Sequence, residues 1–249
     1  MDRNAFHRLF KSPGPAVAPV IHVTDRAQAL KNIAVAVRLG APGIFLINHD
    51  FPFAQFLPIL RAVRADCPDL WLGVNFLARP GRVAFPVLAR LASEGCALDA
   101  YWADDACMDE RQSAQTEAEA IAAVRAASGW QGLYFGGVCF KKQRPVDPSL
   151  NEHSARIARP FMDVVTTSGI ATGEAADMSK ISDFRRGLGL APLAIASGIT
   201  PDNAARYAAD VDCFLVATGI NHPGDFYNID PARLDALLTL TRDFGAPRT

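Results

Sequence analysis

"PLAIASGITPDNAARYAADVDCFLVATGI", residues 192–220, holds two apolar runs that stop in the same way. The first breaks at Ser197-Gly198 and the second at Thr218-Gly219. A short apolar run ending in a small hydroxyl residue and a glycine reads as a strand feeding a tight turn. The residues between the runs, 201–208, read as a helix, with Thr200 as its N-cap and Pro201 in its first turn. Strand, helix, strand with short links implies neighbouring parallel strands.

The same unit recurs in both directions along the chain. Strand-like runs fall at 19–23, 43–48, 70–76, 98–103, 132–140, 163–168, 192–197 and 213–218. Helix-like stretches follow them near Asp25 and at 53–65, 81–94, 113–127, 151–159, 177–188, 201–208 and 231–243. Eight strand-then-helix units in a chain of 249 residues predict an α/β fold, a single (β/α)8 TIM barrel. An open doubly wound sheet calls for a Gly-rich turn after its first strand, and "HVTDRAQ" has no glycine. With no linker or low-complexity tract, the barrel domain is assigned to 18–249 and an N-terminal arm to 1–17. The arm forms a helical turn before Pro13 and Pro15, and reads as a packing or homo-oligomer contact.

Half of the residues are hydrophobic and a fifth are charged, ample for a buried core. A net charge of −1 supplies no basic field for nucleic acid. No apolar run has the length of a membrane span, and the N-terminus lacks the apolar core of a signal peptide. Five scattered cysteines without a C-x-x-C pair read as reduced thiols of a cytoplasmic protein.

Active sites of such barrels lie at the C-terminal ends of the strands, so the strand ends are where chemistry is expected. Barrel enzymes frequently bind phosphate with the loops after the seventh and eighth strands. Backbone N–H groups of Gly198 and Gly219, assisted by Ser197 and Thr218, are therefore the candidate phosphate site. The loop "TTSGIATGEAADMSKI", 166–181, adds Gly169 and Gly173 as further unencumbered N–H groups and reads as a loop closing over substrate. Asp104, which alternation from Trp102 points inward, is the candidate acid/base. Lys141 is the candidate cation, suited to pairing with an anion. Asn48 and Asn75 are candidates for orienting substrate, Asn75 sharing an inward face with Gly73 and Trp71. His22, His49 and His222 fall near strand ends without H-x-H or H-E-x-x-H spacing, so no metal is expected and His22 reads as a hydrogen-bonded core residue. No cofactor motif is present.

The stretches "PVIHV", "GIFLINHDFPF", "GVNFLA", "GVCFKK", "VVTTSGIATGEAAD" and "IASGITPDNAARYAADVDCFLVATGI", with the closing "FYNIDPARLDALL", resemble the BtpA/SgcQ family in order and spacing. The resemblance runs from about residue 18 to 243. It implies a TIM barrel of the ribulose-phosphate-binding type, with the family's two late-strand turns at Ser197-Gly198 and Thr218-Gly219. Two places depart from the family. "HVTDRAQAL" stands where the family carries an "HLxPLPG"-like stretch. "FKKQ" stands where it commonly reads Val-Lys-His, so the lysine carries over to Lys141 and the histidine does not. The resemblance implies no particular reaction, and one member is associated with photosystem I biogenesis. Two readings follow. One is an enzyme on a small phosphorylated metabolite, with isomerase, lyase and glycosyl or phosphoribosyl transfer all open. The other is a non-enzymatic assembly factor using the barrel as a scaffold.

Overall fold

The computed structural model describes residues 1–244. Residues 245–249, the last five of the segment assigned to the barrel, lie outside them. Eight parallel strands close in sequence order into one barrel: β1 (Ala16–Val23), β2 (Ile44–Asn48), β3 (Leu72–Asn75), β4 (Ala100–Ala103), β5 (Leu133–Gly137), β6 (Val164–Thr167), β7 (Leu193–Ala196) and β8 (Cys213–Val216). Closure is made by β8 pairing with β1, Ala16 opposite Cys213 and Pro19 opposite Val216. The outer helices are α2 (Arg26–Arg38), α3 (Phe53–Asp66), α4 (Gly81–Ser93), α5 (Thr116–Ser128), α6 (Asn151–Ala158), α7 (Met178–Leu188) and α8 (Pro231–Phe244). The fold is thus a single (β/α)8 TIM barrel. No helix among the described residues is long and apolar enough to cross a membrane.

Three expectations need correction. The segment 201–208 forms no α-helix: turns at 201–203 lead into a 3-10 turn at Ala204–Arg206. Asn203 takes over the local bonding, its Oδ1 accepting from Thr200 N–H at 2.9 Å and its Nδ2 donating to the Gly198 carbonyl at 2.7 Å. An Asn side chain competing for backbone groups in this way favours turns over helix. The arm holds more than one turn: α1 spans Arg3–Phe10, capped by Asp2, whose Oδ1 accepts from Ala5 N–H at 2.7 Å. β1 begins three residues before the expected 19, because Ala16 and Ala18 face the interior opposite β8.

Strand alternation sorts side chains to two cores. In β2, Phe45 and Ile47 point into the barrel, while Ile44 and Leu46 pack under the helices. The interior is filled rather than open. Phe45 lies edge-on to Trp71, Trp102 and Phe135, at centroid distances of 5.7, 6.3 and 5.2 Å. Gly73 leaves the space that the Phe45 ring occupies. α1 closes the floor: its buried Phe6 and Phe10 reach Phe135 and Trp71. Burial of each is worth roughly 1.5–3 kcal/mol.

Three carboxylates clamp that floor, each on the residue just before an even-numbered strand. Asp99 accepts from Leu72 N–H and Arg64, both at 2.8 Å. Asp163 accepts from Tyr134 N–H at 2.8 Å and Arg125 at 2.6 Å. Asp212 accepts from Leu193 N–H at 2.9 Å and Arg185 at 3.1 Å, and also receives Arg3 at 2.7 Å and His7 at 2.9 Å from α1. The last clamp pins the N-terminal helix to the end of the barrel.

Candidate active site

A pocket opens at the C-terminal mouth, with an apolar floor of Val20, Ile47, Trp102 and Leu215. Above the floor, β1 presents His22, the loop after β2 presents His49, and the loops after β4 and β5 present Asp104, Lys141 and Lys142. The third side is Ser197, Gly198 and Ile199 after β7, with Thr218 and Gly219 after β8. Thr172 and Phe226 reach in from the loops after β6 and β8. The enclosed volume is about 60 Å³, against roughly 300–1,000 Å³ for small-molecule sites. A phosphate group fits, and the pocket is open toward the mouth.

The structure therefore brings Asp104, Lys141, Ser197, Gly198, Thr218 and Gly219 together. Asn75 stands one bond behind them, its Nδ2 donating to Asp104 Oδ1 at 2.9 Å. Asn48 lies outside the pocket. It shares the helix-facing parity of Ile44 and Leu46, donates to the Phe51 carbonyl at 3.0 Å and accepts from Leu77 N–H at 3.4 Å. It thus joins the loops after β2 and β3. Gly169 also lies outside.

The glycines have a role that spacing did not reveal. A side chain on Gly169 or on Gly198 would overlap the Glu174 carbonyl, and one on Gly219 would overlap that of Ile199. They are the points where the backbones after β6, β7 and β8 lie directly against one another. Gly173 N–H donates to Ser197 Oγ at 2.9 Å, latching the loop after β6 to the end of β7. Tyr207 OH holds the same loop through the Ala176 carbonyl at 2.6 Å. Ser197 and Gly198 are both left-handed, at φ 74° and 71°. A non-glycine held there is the kind of strain that collects at functional sites. Among the described residues, the N–H groups of Gly198, Ile199, Thr218 and Gly219 donate to nothing. Successive free N–H groups in a turn form a concavity suited to an anion. With no helix at 201–208, they lack the dipole that such a helix would add.

The cations of the site are set by burial and neighbours. Burial lowers the pKa of Lys141 below the usual lysine value; Asp104 opposes this and Lys142 reinforces it. Lys180, half-buried and likewise lowered, donates to the Cys139 and Ser168 carbonyls at 2.6 and 2.7 Å, bracing the ends of β5 and β6. Lys141 N–H is held by Ser168 Oγ at 2.9 Å. Gln143 ties the loops after β4 and β5 by donating to the Asp104 and Gly137 carbonyls, each at 2.9 Å.

His22 is hydrogen-bonded, as its place in an apolar strand suggested, but it also lines the pocket. Its parity with Val20 and its place at the end of β1 were the available signal. Phe226 gave none, since its position depends on how 221–229 folds. An antiparallel bridge between Asn221 and Ile229 closes that loop. Gln28 and Asn32 of α2 fix it by donating to the Tyr227 carbonyl at 2.7 and 2.9 Å. Among the described residues, no group of three or more His, Cys, Asp or Glu is placed to hold a metal ion. All five cysteines are unpaired.

No protein-family model matches the chain, and no curated protein matches it in sequence. Solved structures match along nearly the whole length. The tryptophan synthase alpha chain of Legionella pneumophila subsp. pneumophila is 14% identical, over 99% of this chain and 100% of that one, with a TM-score of 0.65. Phosphoribosyl anthranilate isomerase of Thermus thermophilus is 16% identical, over 90% and 96%, with a TM-score of 0.55. Monomers of the dimeric phosphoribosylanthranilate isomerase of Thermotoga maritima are 15% identical, over 92% and 99%, with a TM-score of 0.59. At these identities the likeness is one of fold.

Proposed function

We propose that the protein is an enzyme acting on a small phosphorylated metabolite, a phosphosugar or nucleotide-like compound, in the manner of a BtpA/SgcQ-like barrel. The phosphate binds the N–H groups around Gly198 and Gly219, with Ser197 and Thr218 assisting. Asp104 is the acid/base, positioned by Asn75, and Lys141 is the cation beside the reacting group. Gly169 and Gly173 shape the covering loop, and Asn48 stiffens the rim. The observation that carries this reading is a single pocket lined by a carboxylate, a half-buried lysine and two strand ends with free N–H groups. The enzymes of similar fold are named for anthranilate and tryptophan chemistry, one of them on a phosphoribosyl compound. No metal or cofactor enters the proposal, and the unpaired cysteines fit a cytoplasmic protein.

A thermal-shift screen of phosphorylated metabolites against their unphosphorylated counterparts tests it. A ligand at one hundred times its Kd stabilises by about 2.7 kcal/mol. The expected result is a raised Tm with phosphorylated compounds only, abolished by blocking the pocket with Ala217→Trp. Equal shifts for both classes, or none for either, would refute the reading.

A further inference from the structure

His22 offers the pocket one specific atom. It is only 7% exposed and lies on the interior face at the end of β1. Its Nδ1 faces the Phe226 carbonyl oxygen at 3.0 Å. A carbonyl only accepts, so Nδ1 carries the hydrogen, and Nε2 carries the lone pair. Nε2 meets no partner among the described residues. The ring is clamped, stacked on Phe226 at 3.8 Å and 17° and edge-on to His49 at 4.7 Å and 81°. A nine-tenths-buried imidazole with one nitrogen fixed and the other open to the pocket is arranged to receive a proton.

We propose that His22 Nε2 is the proton acceptor of the site, working on the carbon beside the carbonyl of a phosphorylated hydroxycarbonyl compound. This rests on the phosphate-binding reading above and narrows its substrate class. The C–H bond breaks and its proton joins Nε2, giving an imidazolium whose Nδ1–H remains on the Phe226 carbonyl. The C–H electron pair forms the carbon–carbon double bond of an enediolate, and the carbonyl oxygen takes the negative charge facing the Lys141 ammonium. Return of the proton to the neighbouring carbon isomerises the compound, and return to the original carbon exchanges it with solvent. No oxidant or co-reactant is required. Asp104, anchored by Asn75, moves the hydroxyl proton between the two oxygens.

The electrostatics fit this role. Burial lowers the His22 pKa to about 4. The Phe226 carbonyl and Asp50 oppose the shift, while His49 and Lys141 add to it. The ring is therefore neutral at pH 7 and a weak base in the free protein. A phosphate dianion arriving nearby favours the charged imidazolium and raises its basicity toward the range useful for catalysis.

The test uses the full chain in D2O with dihydroxyacetone phosphate, D-ribose 5-phosphate and D-ribulose 5-phosphate, reading carbon-bound deuterium by mass spectrometry. The wild type is expected to incorporate deuterium into at least one probe. His22→Gln should slow incorporation by about 10²–10⁴-fold and weaken inorganic phosphate binding far less. No incorporation by the wild type, or equal incorporation by the variant, overturns the proposal, and intact phosphate binding in either case leaves the phosphate site standing. Failure of the wild type to bind inorganic phosphate sinks the reading beneath it instead. Nitrogen-15 NMR of the wild type gives a second measure that needs no variant. The hydrogen should sit on Nδ1, and the Nε2 signal should move on adding phosphate. A hydrogen on Nε2, or ordinary titration near about 6.5, overturns the assignment.

Discussion

Asp104 and Asn75 show how far single positions can be read. Period-two spacing turned both toward the barrel interior, and there they meet at 2.9 Å. The bond occupies Oδ1 and leaves Oδ2 without a partner among the described residues. Asp104→Asn is expected to lower turnover by about 10²–10⁴-fold while binding changes little. Asn75→Ala frees the carboxylate without removing it, and the loss should be no more than about tenfold, one hydrogen bond's worth. Steady-state kinetics on whichever phosphorylated compound stabilises the protein decides this. A larger loss from Asn75→Ala than from Asp104→Asn reverses the two roles. The open nitrogen of His22 was not legible in the same way. Its availability depends on a carbonyl 204 residues away, and no local pattern reports which loop will arrive there. Asn48 was misread for a simpler reason: at the last residue of β2 it shares the helix-facing parity of Ile44 and Leu46, and its side chain bonds the neighbouring loops from there.

Among the elements, strands and long helices were legible because burial imposes their periods. The connection from β7 to β8 was not, since Asn203 and Tyr207 spend its backbone and side-chain groups on turns and on the neighbouring loop. That loop contact separates two glycine-turn variants. Gly198→Ala places a side chain against the Glu174 carbonyl and forces an alanine to φ 71°. It should cost about 1–3 kcal/mol and push the loop after β6 outward. Ser197→Ala removes only the acceptor of Gly173 N–H, about 0.5–1.5 kcal/mol, and leaves the backbone path intact. Limited proteolysis should therefore cut near Ile170, which is 82% exposed, faster in both variants, with the larger fall in Tm for Gly198→Ala. Equal melting temperatures for the two would mean that the glycine contact contributes nothing.

For the molecule as a whole, the floor clamps matter more than the mouth. Burial alone would raise the Asp212 carboxyl, but bonds from His7, Leu193 N–H and Arg3 outweigh it and hold the pKa below the ordinary aspartate value. Its contribution is thus full above the unfolded pKa of about 3.9 and is lost as pH falls through the depressed folded value. Asp212→Asn leaves Arg3, Arg185 and His7 without their anion and should cost about 3–5 kcal/mol. Chemical denaturation at pH 7 measures that cost, and the variant's stability should fall less than the wild type's as pH drops below 4. A variant as stable as the wild type at pH 7 would show the clamp to be energetically neutral. The alternation of strand and helix made the closed barrel readable, but the clamps were not, because each joins residues far apart in sequence. The Arg3–Asp212 contact spans 209 positions. On a ribosome adding about 5–20 residues per second, α1 emerges on the order of tens of seconds before its anchor exists. The apolar face of α1 is therefore made long before the charge pair that holds it down, and the barrel floor is a contact that a growing chain can complete only late.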